Sequence, residues 1–124
     1  MDNKPLENIA EEFIKTRLGK AKLPYLKPNY DTDGSDLVVL SHINKHYARQ
    51  VIIQSKGRNV TKLHSNVKIH KDYVSSNFIC FLYLQVDDDD NDYLFIFFEN
   101  SIRRWTLIED KYSLHIPKTF LGKH

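Results

Sequence analysis

Val51-Ile-Ile-Gln-Ser-Lys-Gly57 joins a run of three β-branched residues to three polar residues and a glycine. β-Branched residues favour strands, so we predict a buried strand over residues 49–56 that exits at Gly57. Because side chains alternate between the two faces of a strand, Gln54 and Lys56 point the same way and Ser55 points into the opposite layer. The stretch therefore predicts a sheet with an amide and an ammonium close together at one end.

The residues before this stretch supply a partner strand. Asp31-Thr-Asp-Gly-Ser35 is typical of a tight turn, and it leads into the apolar run Leu37-Val-Val-Leu40. We interpret residues 35–41 as a second buried strand and residues 42–48 as a polar linker between the two strands. If these strands are neighbours, Asp36 at the entry of the first lies beside Gln54 and Lys56.

Helical spacing of apolar residues predicts an amphipathic first helix that ends near Gly19. These residues are Leu6, Ile9, Ala10, Phe13, Ile14 and Leu18. Pro24 and Pro28 then limit Tyr25-Leu-Lys27 to a short or edge strand, because proline cannot donate to a strand ladder. An imperfect helical period over residues 62–74, with lysines and histidines around it, predicts a second, basic helix.

The C-terminal half predicts more sheet. Residues 78–86 and 93–98 are aromatic and β-branched runs, which we interpret as an antiparallel pair joined by the acidic connection at residues 87–92. In the tail, Ile102, Trp105 and Ile108 fit either a short helix or a bent strand. The order of helix, strands, helix and strands predicts one domain over residues 1–124 of the α+β (mixed α/β) class, with a central mixed sheet flanked by helices.

Composition narrows the possible classes of protein. The chain has 124 residues, 41% hydrophobic and 27% charged, which fits one globular core. No apolar run reaches the roughly 18 to 20 residues that cross a bilayer, and Met1-Asp-Asn-Lys-Pro5 lacks the apolar stretch of a signal peptide, so we expect a cytoplasmic protein without membrane contact. Cys80, the lone cysteine, is expected to pack as a small hydrophobe. The net charge of +2 permits nucleic-acid binding without arguing for it.

Asp36, Gln54 and Lys56 together offer a carboxylate, an amide oxygen and an ammonium. Metal-assisted hydrolysis of a phosphodiester needs hard oxygen ligands for Mg²⁺ and a cation that orients water and neutralises developing charge. Gln54 can ligate through its carbonyl oxygen but brings no negative charge. Relative to a carboxylate, this forfeits on the order of 8 kcal/mol of gross Coulomb attraction at ~4 Å and an effective dielectric of ~20.

Asp33-Gly-Ser-Asp36-Leu-Val-Val followed by Val51-Ile-Ile-Gln54-Ser-Lys56-Gly resembles the PD-(D/E)xK nuclease superfamily, and most closely its Mrr-like and Holliday-junction-resolvase-like branches. Some branches carry Gln in the middle acidic position. The resemblance implies a restriction-endonuclease-like αβββαβ core. It further implies that Asp36 and Gln54 hold Mg²⁺, for which Mn²⁺ may substitute, that the Ser55 carbonyl adds a ligand, and that Lys56 assists the attacking water.

Related nucleases also direct a glutamate of the first helix at the metal. Glu11 is the candidate here, with Glu12 as the alternative, because one helical residue changes the facing angle by about 100°. The function implied is a metal-dependent endonuclease hydrolysing phosphodiester bonds of DNA, in restriction, phage defence or mobile-element biology. The alternative is a catalytically weak or inactive module of the same fold that binds nucleic acid or a protein partner.

Two kinds of partner remain open. Cutting both strands of a duplex needs two sites, which a homodimer would supply, although no residue marks an interface. A chain of this size also leaves little surface for sequence readout, so a partner chain could supply specificity.

The predicted contacts to nucleic-acid phosphates are cations after the motif, and a solvated basic helix face is the competing interpretation. These cations are Arg58, Lys62, Lys68 and Lys71.

Three other groups favour structural explanations. Trp105 is expected in the core with Arg103 and Arg104 at its solvent rim, rather than in base stacking. Residues 87–92 lack the ligand spacing of a calcium loop and are expected to be a solubilising connection. The six histidines show no zinc-binding pattern.

Overall fold

The computed structural model describes residues 4–27, 37–44, 47–59, 65–85 and 92–116, and the structural statements below concern these residues. The protein has a mixed α+β fold with few helices. In chain order the elements are α1 (Lys4–Lys20), β1 (Tyr25–Leu26), β2 (Leu37–Asn44), β3 (Tyr47–Asn59), β4 (Ser65–His70), a 3-10 turn (Lys71–Tyr73), β5 (Phe78–Gln85), β6 (Asp92–Phe98), α2 (Glu99–Ile102), β7 (Thr106–Ile108) and β8 (Lys111–Ile116).

The strands form two sheets. The larger has five strands in the order β1-β2-β3-β5-β6, and the smaller has three in the order β4-β8-β7. The larger sheet is mixed, because β3 and β5 run parallel while its other neighbouring strands are antiparallel. The predicted pairing of β2 with β3 is confirmed, as is the antiparallel pair of β5 and β6.

One face of the five-stranded sheet is covered by α1, as the predicted amphipathic helix requires. Ala10 and Ile14, one turn apart, are both buried, and Ile14 belongs to an apolar cluster with Leu37, Val39 and Ile53. The helix ends at Lys20, and Lys22 then takes a left-handed backbone conformation with φ of 57°. No helix in the described ranges combines the length and the apolar composition needed to cross a membrane.

The three-stranded sheet lies over the other face of the five-stranded sheet. Alternate residues of β5 point into this layer and are buried, where they form two apolar clusters with residues of β4 and β8. Those β5 residues are Phe78, Cys80, Leu82 and Leu84. Cys80 is therefore a core residue, as predicted. Trp105 packs into both clusters and meets Phe97 edge to face at 5.1 Å between ring centroids.

The predicted basic helix over residues 62–74 is wrong. Residues 65–70 form β4 and residues 71–73 a 3-10 turn, while Lys62 lies outside the described residues. Val67 and Ile69 are buried and Lys68 between them is exposed, which is the two-residue period of a strand. Pairing with β8, far along the chain, selects this period over the imperfect helical one.

Two strand limits also differ from prediction. β2 continues to Asn44 and β3 begins at Tyr47, so most of the predicted polar linker is instead a strand hairpin. Ladder hydrogen bonds come from the backbone, which polar residues supply as well as apolar ones. At the other end, β3 does not exit at Gly57 but continues to Asn59, with Gly57 opposite Tyr83 of β5.

The tail contains both of the structures that its pattern allowed. Ile102 lies in the short helix α2 and Ile108 in β7, while β8 was not predicted. Arg103 donates from Nη2 to the Val74 carbonyl at 3.1 Å and to a Glu99 carboxylate oxygen at 2.9 Å. These contacts confirm a structural place for Arg103 beside the core.

Candidate functional site

The second half of β3 forms one side of the candidate site. The β2 ladder ends at the pair Leu37 and Ile53, whereas the β5 ladder continues along β3 to Asn59. Residues 54–59 therefore keep a strand neighbour on the β5 side and have none on the β2 side among the described residues. Asp36, the first residue of the predicted site, lies outside those residues. The residue after it, Leu37, pairs with Ile53, which immediately precedes Gln54.

Helix α1 crosses directly above this half of β3. A Cβ atom added at Gly57 would lie 2.4 Å from the Leu6 Cβ and 2.6 Å from the Glu7 backbone nitrogen. Glycine is needed here because the helix backbone occupies the space of a side chain. Farther along, Ile14 of α1 shares a cluster with Ile53, so the helix runs opposite to β3.

These two contacts locate Glu11 along the strand. Glu11 follows Leu6 by five residues, or about 7.5 Å of helix rise, and a strand covers that distance in roughly two residues. Counting back from Gly57, Glu11 is level with Ser55 and close to the level of Gln54. Glu11 therefore lies on the α1 side of β3, at the level of the predicted motif.

Glu11, Gln54 and Ser55 are the buried polar or charged residues of the described chain, at 7%, 4% and 3% exposure. Burying polar groups is unfavourable unless they find partners, so such residues are uncommon inside a small domain. All three belong to the metal set predicted from the sequence. Their burial at one level of the fold distinguishes this place from the apolar layers on either side.

The carboxylate of Glu11 is held by lysines. Lys27 Nζ donates to Oε1 at 2.7 Å and to Oε2 at 2.6 Å, and Lys15 Nζ lies 3.6 Å from Oε2. The Lys27 side chain is 54% exposed, against 9% for Glu11. The two ammonium groups supply the positive charge that a buried carboxylate needs. Glu12, the alternative predicted ligand, is exposed and pairs with Lys15 at 3.4 Å.

Gln54 and Lys56 leave β3 on the face opposite to α1. They alternate with Ile53 and Gly57, which face the helix, and in the parallel ladder they lie beside Cys80 and Leu82. Gln54 is buried and Lys56 is half-buried. The structure thus brings Glu11 and Ser55 together on the helix side and Gln54 and Lys56 together on the other side.

Arg58 contacts groups on both sides of β3. It shares the face of Gln54 and Lys56, yet its Nη1 lies 3.8 Å from a carboxylate oxygen of Glu7 on α1. Nε also donates to the Asn66 carbonyl at 3.0 Å, and Nη1 to the Gly57 carbonyl at 2.7 Å. Burial lowers the pKa of the Arg58 guanidinium, and Glu7 opposes that shift. The Arg58 side chain therefore comes close to α1, although it starts on the opposite face of β3.

The other predicted phosphate contacts are spread out. Lys68 is exposed on β4, and Lys71 in the 3-10 turn pairs with Asp110 at 3.6 Å. Arg58 already contacts other groups of the protein. Contact with phosphate stays a prediction for Arg58, Lys68 and Lys71. The structure does not place these cations on one helix face.

The described donors are oxygen atoms of the type that Mg²⁺ prefers, but they do not converge on one point, because Glu11 lies on the α1 side of β3 and Gln54 on the opposite side. Glu11 offers a carboxylate, Gln54 an amide oxygen and Ser55 a backbone carbonyl, and Mg²⁺ prefers oxygen ligands. No group of three or more His, Cys, Asp or Glu side chains that could hold a metal occurs in the described ranges. A metal here would therefore depend on amide and carbonyl oxygens, and on Asp36 outside those ranges.

Sequence reasoning did not find Lys27. It lies between β1 and the segment that leads to Asp36, and no motif or periodicity distinguishes it from the other lysines. Its role becomes visible only when Glu11 is placed beside it.

No family model matches the chain, and neither a curated protein nor a solved structure matches it.

Proposed function

We propose that the protein is a metal-dependent nuclease with a restriction-endonuclease-like core, acting on DNA. The observation that carries the proposal is the burial of Glu11, Gln54 and Ser55 at one level of the fold. A motif match alone could be accidental, since Gln-Ser-Lys is a short pattern. Burial is independent support, because a solvated strand end would leave these polar residues exposed.

The order of elements also supports the proposed core. A helix, three antiparallel strands and a strand parallel to β3 match the αβββαβ order of the family except at its second helix. The crossover here contains β4 and a 3-10 turn where the family order has its second helix. This departure leaves the motif strands in place, because β5 still lies beside residues 54–59.

Each residue has a distinct task in the proposed reaction. Gln54, the Ser55 carbonyl and Asp36 would hold Mg²⁺ on the Lys56 side of β3, and the ion when bound would polarise the phosphate and its attacking water, whereas Glu11 lies on the opposite, α1 side. Lys56, two residues beyond Gln54 on the same face, would orient that water and neutralise developing negative charge. Partial burial of Lys56 strengthens this effect, because water screens its charge less.

A cleavage assay tests the proposal. Plasmid, linear, branched and single-stranded DNA would be incubated with Mg²⁺ or Mn²⁺, using wild type and the variants Asp36→Ala and Lys56→Ala. We expect Lys56→Ala to lower the rate by on the order of 10²-fold and Asp36→Ala to lower it at least as far. Lys20→Ala, which removes an exposed charge at the end of α1, is the matched control. Metal-dependent cleavage that survives both site substitutions would exclude this site.

A binding module without turnover is the second candidate. Two observations favour it: Gln54 lacks the charge of a carboxylate, and Glu11 already has ammonium partners at hydrogen-bond distance. Gln54→Glu separates the candidates. An active nuclease should gain metal affinity from the added charge, whereas a binding module should retain nucleic acid in a gel-shift assay and gain no cleavage.

A further inference from the structure

Four large apolar side chains lie exposed on the α1 side of the five-stranded sheet. Ile9 and Phe13 of α1 are 48% and 45% exposed, and Ile96 and Phe98 of β6 are 49% and 57% exposed. We call these four residues the apolar strip. A single exposed apolar residue needs no explanation, whereas a contiguous set of them marks a surface that contacts another molecule.

The apolar strip is contiguous because α1 and β6 run side by side. Leu6 lies at the level of Gly57, and the ladders through β5 carry that level across to Leu94. The cluster that contains Ile14 includes a β5 residue that pairs with Phe98, so Ile14 lies near the level of Phe98. The two helix members of the strip fall between these levels, beside its two strand members.

The same surface carries a groove and a projecting ring. The groove opens between α1 and β6 with a volume of about 230 Å³, and its lining residues are Ile9, Phe13, Tyr83, Asp92, Tyr93 and Leu94. It has room for one aromatic side chain. Phe98, the most exposed member of the strip, shares the face of Leu94 and follows it by roughly 13 Å along β6.

We propose that the apolar strip is the contact surface of a homodimer, in which Phe98 of each copy enters the groove of the other. A two-fold axis that crosses β6 near Ile96 exchanges the groove with the projecting ring, so both copies make the same contact. This inference goes beyond the proposed nuclease function and does not depend on it, because the strip contains none of the proposed site residues.

The charges of α1 favour the same arrangement. From Leu6 to the end of the helix, every acidic residue precedes every basic one, the acidic residues being Glu7, Glu11 and Glu12 and the basic ones Lys15, Arg17 and Lys20. The two-fold axis makes the helices of the two copies antiparallel, so the acidic half of each lies toward the basic half of the other. Complementary charges of this kind select one orientation of a contact.

The area of the apolar strip fits a weak dimer. A large apolar side chain has a surface of roughly 150 to 250 Å², so four that are about half exposed offer roughly 400 Å² on each copy. Standard interfaces bury about 800 Å² per partner, and transient ones bury less. The walls of the groove add to the strip, and we expect a dissociation constant in the micromolar range.

Sedimentation equilibrium of the full chain between about 1 and 500 μM tests the proposal, because this range brackets a micromolar dimer. Wild type should approach twice the monomer mass. Ile96→Lys places a charge in the middle of the contact and should weaken association at least roughly tenfold. Phe98→Ala removes the inserted ring and should weaken it by a similar factor. Ile108→Lys is the matched control, because Ile108 is 56% exposed on an edge strand of the other sheet and should leave the dimer intact.

The outcomes are distinct. Weaker association in both strip variants, with Ile108→Lys like wild type, supports the proposal whether or not the protein cleaves DNA. Wild type that stays monomeric throughout the range overturns it and leaves the apolar strip to a different partner. A dimer that Ile108→Lys weakens as much as the strip variants do, or that tolerates all three substitutions, overturns it as well. Circular dichroism checks folding, and Ile96→Thr, which keeps a β-branched residue, replaces Ile96→Lys if that variant unfolds.

Discussion

The two halves of β3 differ in sequence, in neighbours and in burial. Residues 47–53 pair with β2 and end in the apolar run 51–53, whose Ile53 is 3% exposed within the cluster under α1. Residues 54–59 pair with β5, carry mostly polar side chains and lie beneath the first turns of α1. The first half buries apolar side chains under α1, and the second half buries polar side chains, which is unfavourable unless they find partners.

Ile53→Ala should produce the largest loss of stability. It deletes a buried side chain from a cluster that includes α1 and β2, which typically costs about 2 to 5 kcal/mol. Ile108→Ala is the matched control, because Ile108 is 56% exposed and its loss should cost less than about 1 kcal/mol. Urea unfolding followed by circular dichroism measures both. Equal effects of the two substitutions would contradict the described packing of the first half.

Gly57→Ala tests the close approach of α1 to the second half. The added methyl would clash with the Leu6 and Glu7 backbone, so the helix must shift, and we expect a loss of about 1 to 3 kcal/mol. Gly19→Ala is the control, since nothing lies within 4 Å of its added Cβ. Gly19→Ala should raise the free energy of unfolding by about 0.5 to 1 kcal/mol, because alanine favours helix more than glycine does. Urea unfolding of both should give opposite signs, and a neutral Gly57→Ala would exclude the contact.

Tyr83, opposite Gly57 in the ladder, gives the smallest expected effect. Burial, and then a hydrogen bond from its hydroxyl to Asp92, raise the Tyr83 pKa to about 12. The unfolded chain loses this proton near pH 10 while the folded protein keeps it, so stability falls as pH rises from about 10 to 12. Solvent screening limits the loss to less than about 1 kcal/mol.

Tyr83→Phe should remove that pH-dependent loss. Absorbance of phenolate at 295 nm should show that the variant lacks one late-titrating tyrosine, and unfolding at pH 9 and pH 11 should differ less than in wild type. If the tyrosine that Tyr83→Phe removes from the titration is one that ionises near pH 10, the raised pKa of Tyr83 is contradicted.

Local patterns predicted the elements whose partners lie nearby in the chain. The aromatic and β-branched run that begins at Phe78 and the apolar run at residues 51–53 each identified a strand, because these residue types favour strands and the hairpin partners are close. Residues 65–70 were assigned to a helix because only β8, whose pairing lies far along the chain, reveals their two-residue period. Gly57 resembled a strand exit because the packing of α1 against it cannot be deduced from the local sequence.

The residues of the candidate site could be named from the sequence, whereas their placement in the fold could not. The motif and the resemblance to the nuclease superfamily identified Gln54, Ser55 and Glu11, which prove to be buried. Neither could place Glu11 on the helix side of the sheet and Gln54 on the other, because that depends on which layer each face meets. The Lys27 contact depends on the path of the chain after β1 and has no sequence signature.

The pairing of β4 with β8 also bears on the order in which the protein folds during synthesis. Ser65 meets Ile116 in that ladder, so β4 cannot complete this pairing until Ile116 has left the ribosome. The hairpins β2–β3 and β5–β6 close over short loops and can form earlier. Until β8 arrives, the β5 residues beneath the small sheet are exposed, which makes the nascent chain a candidate for chaperone binding.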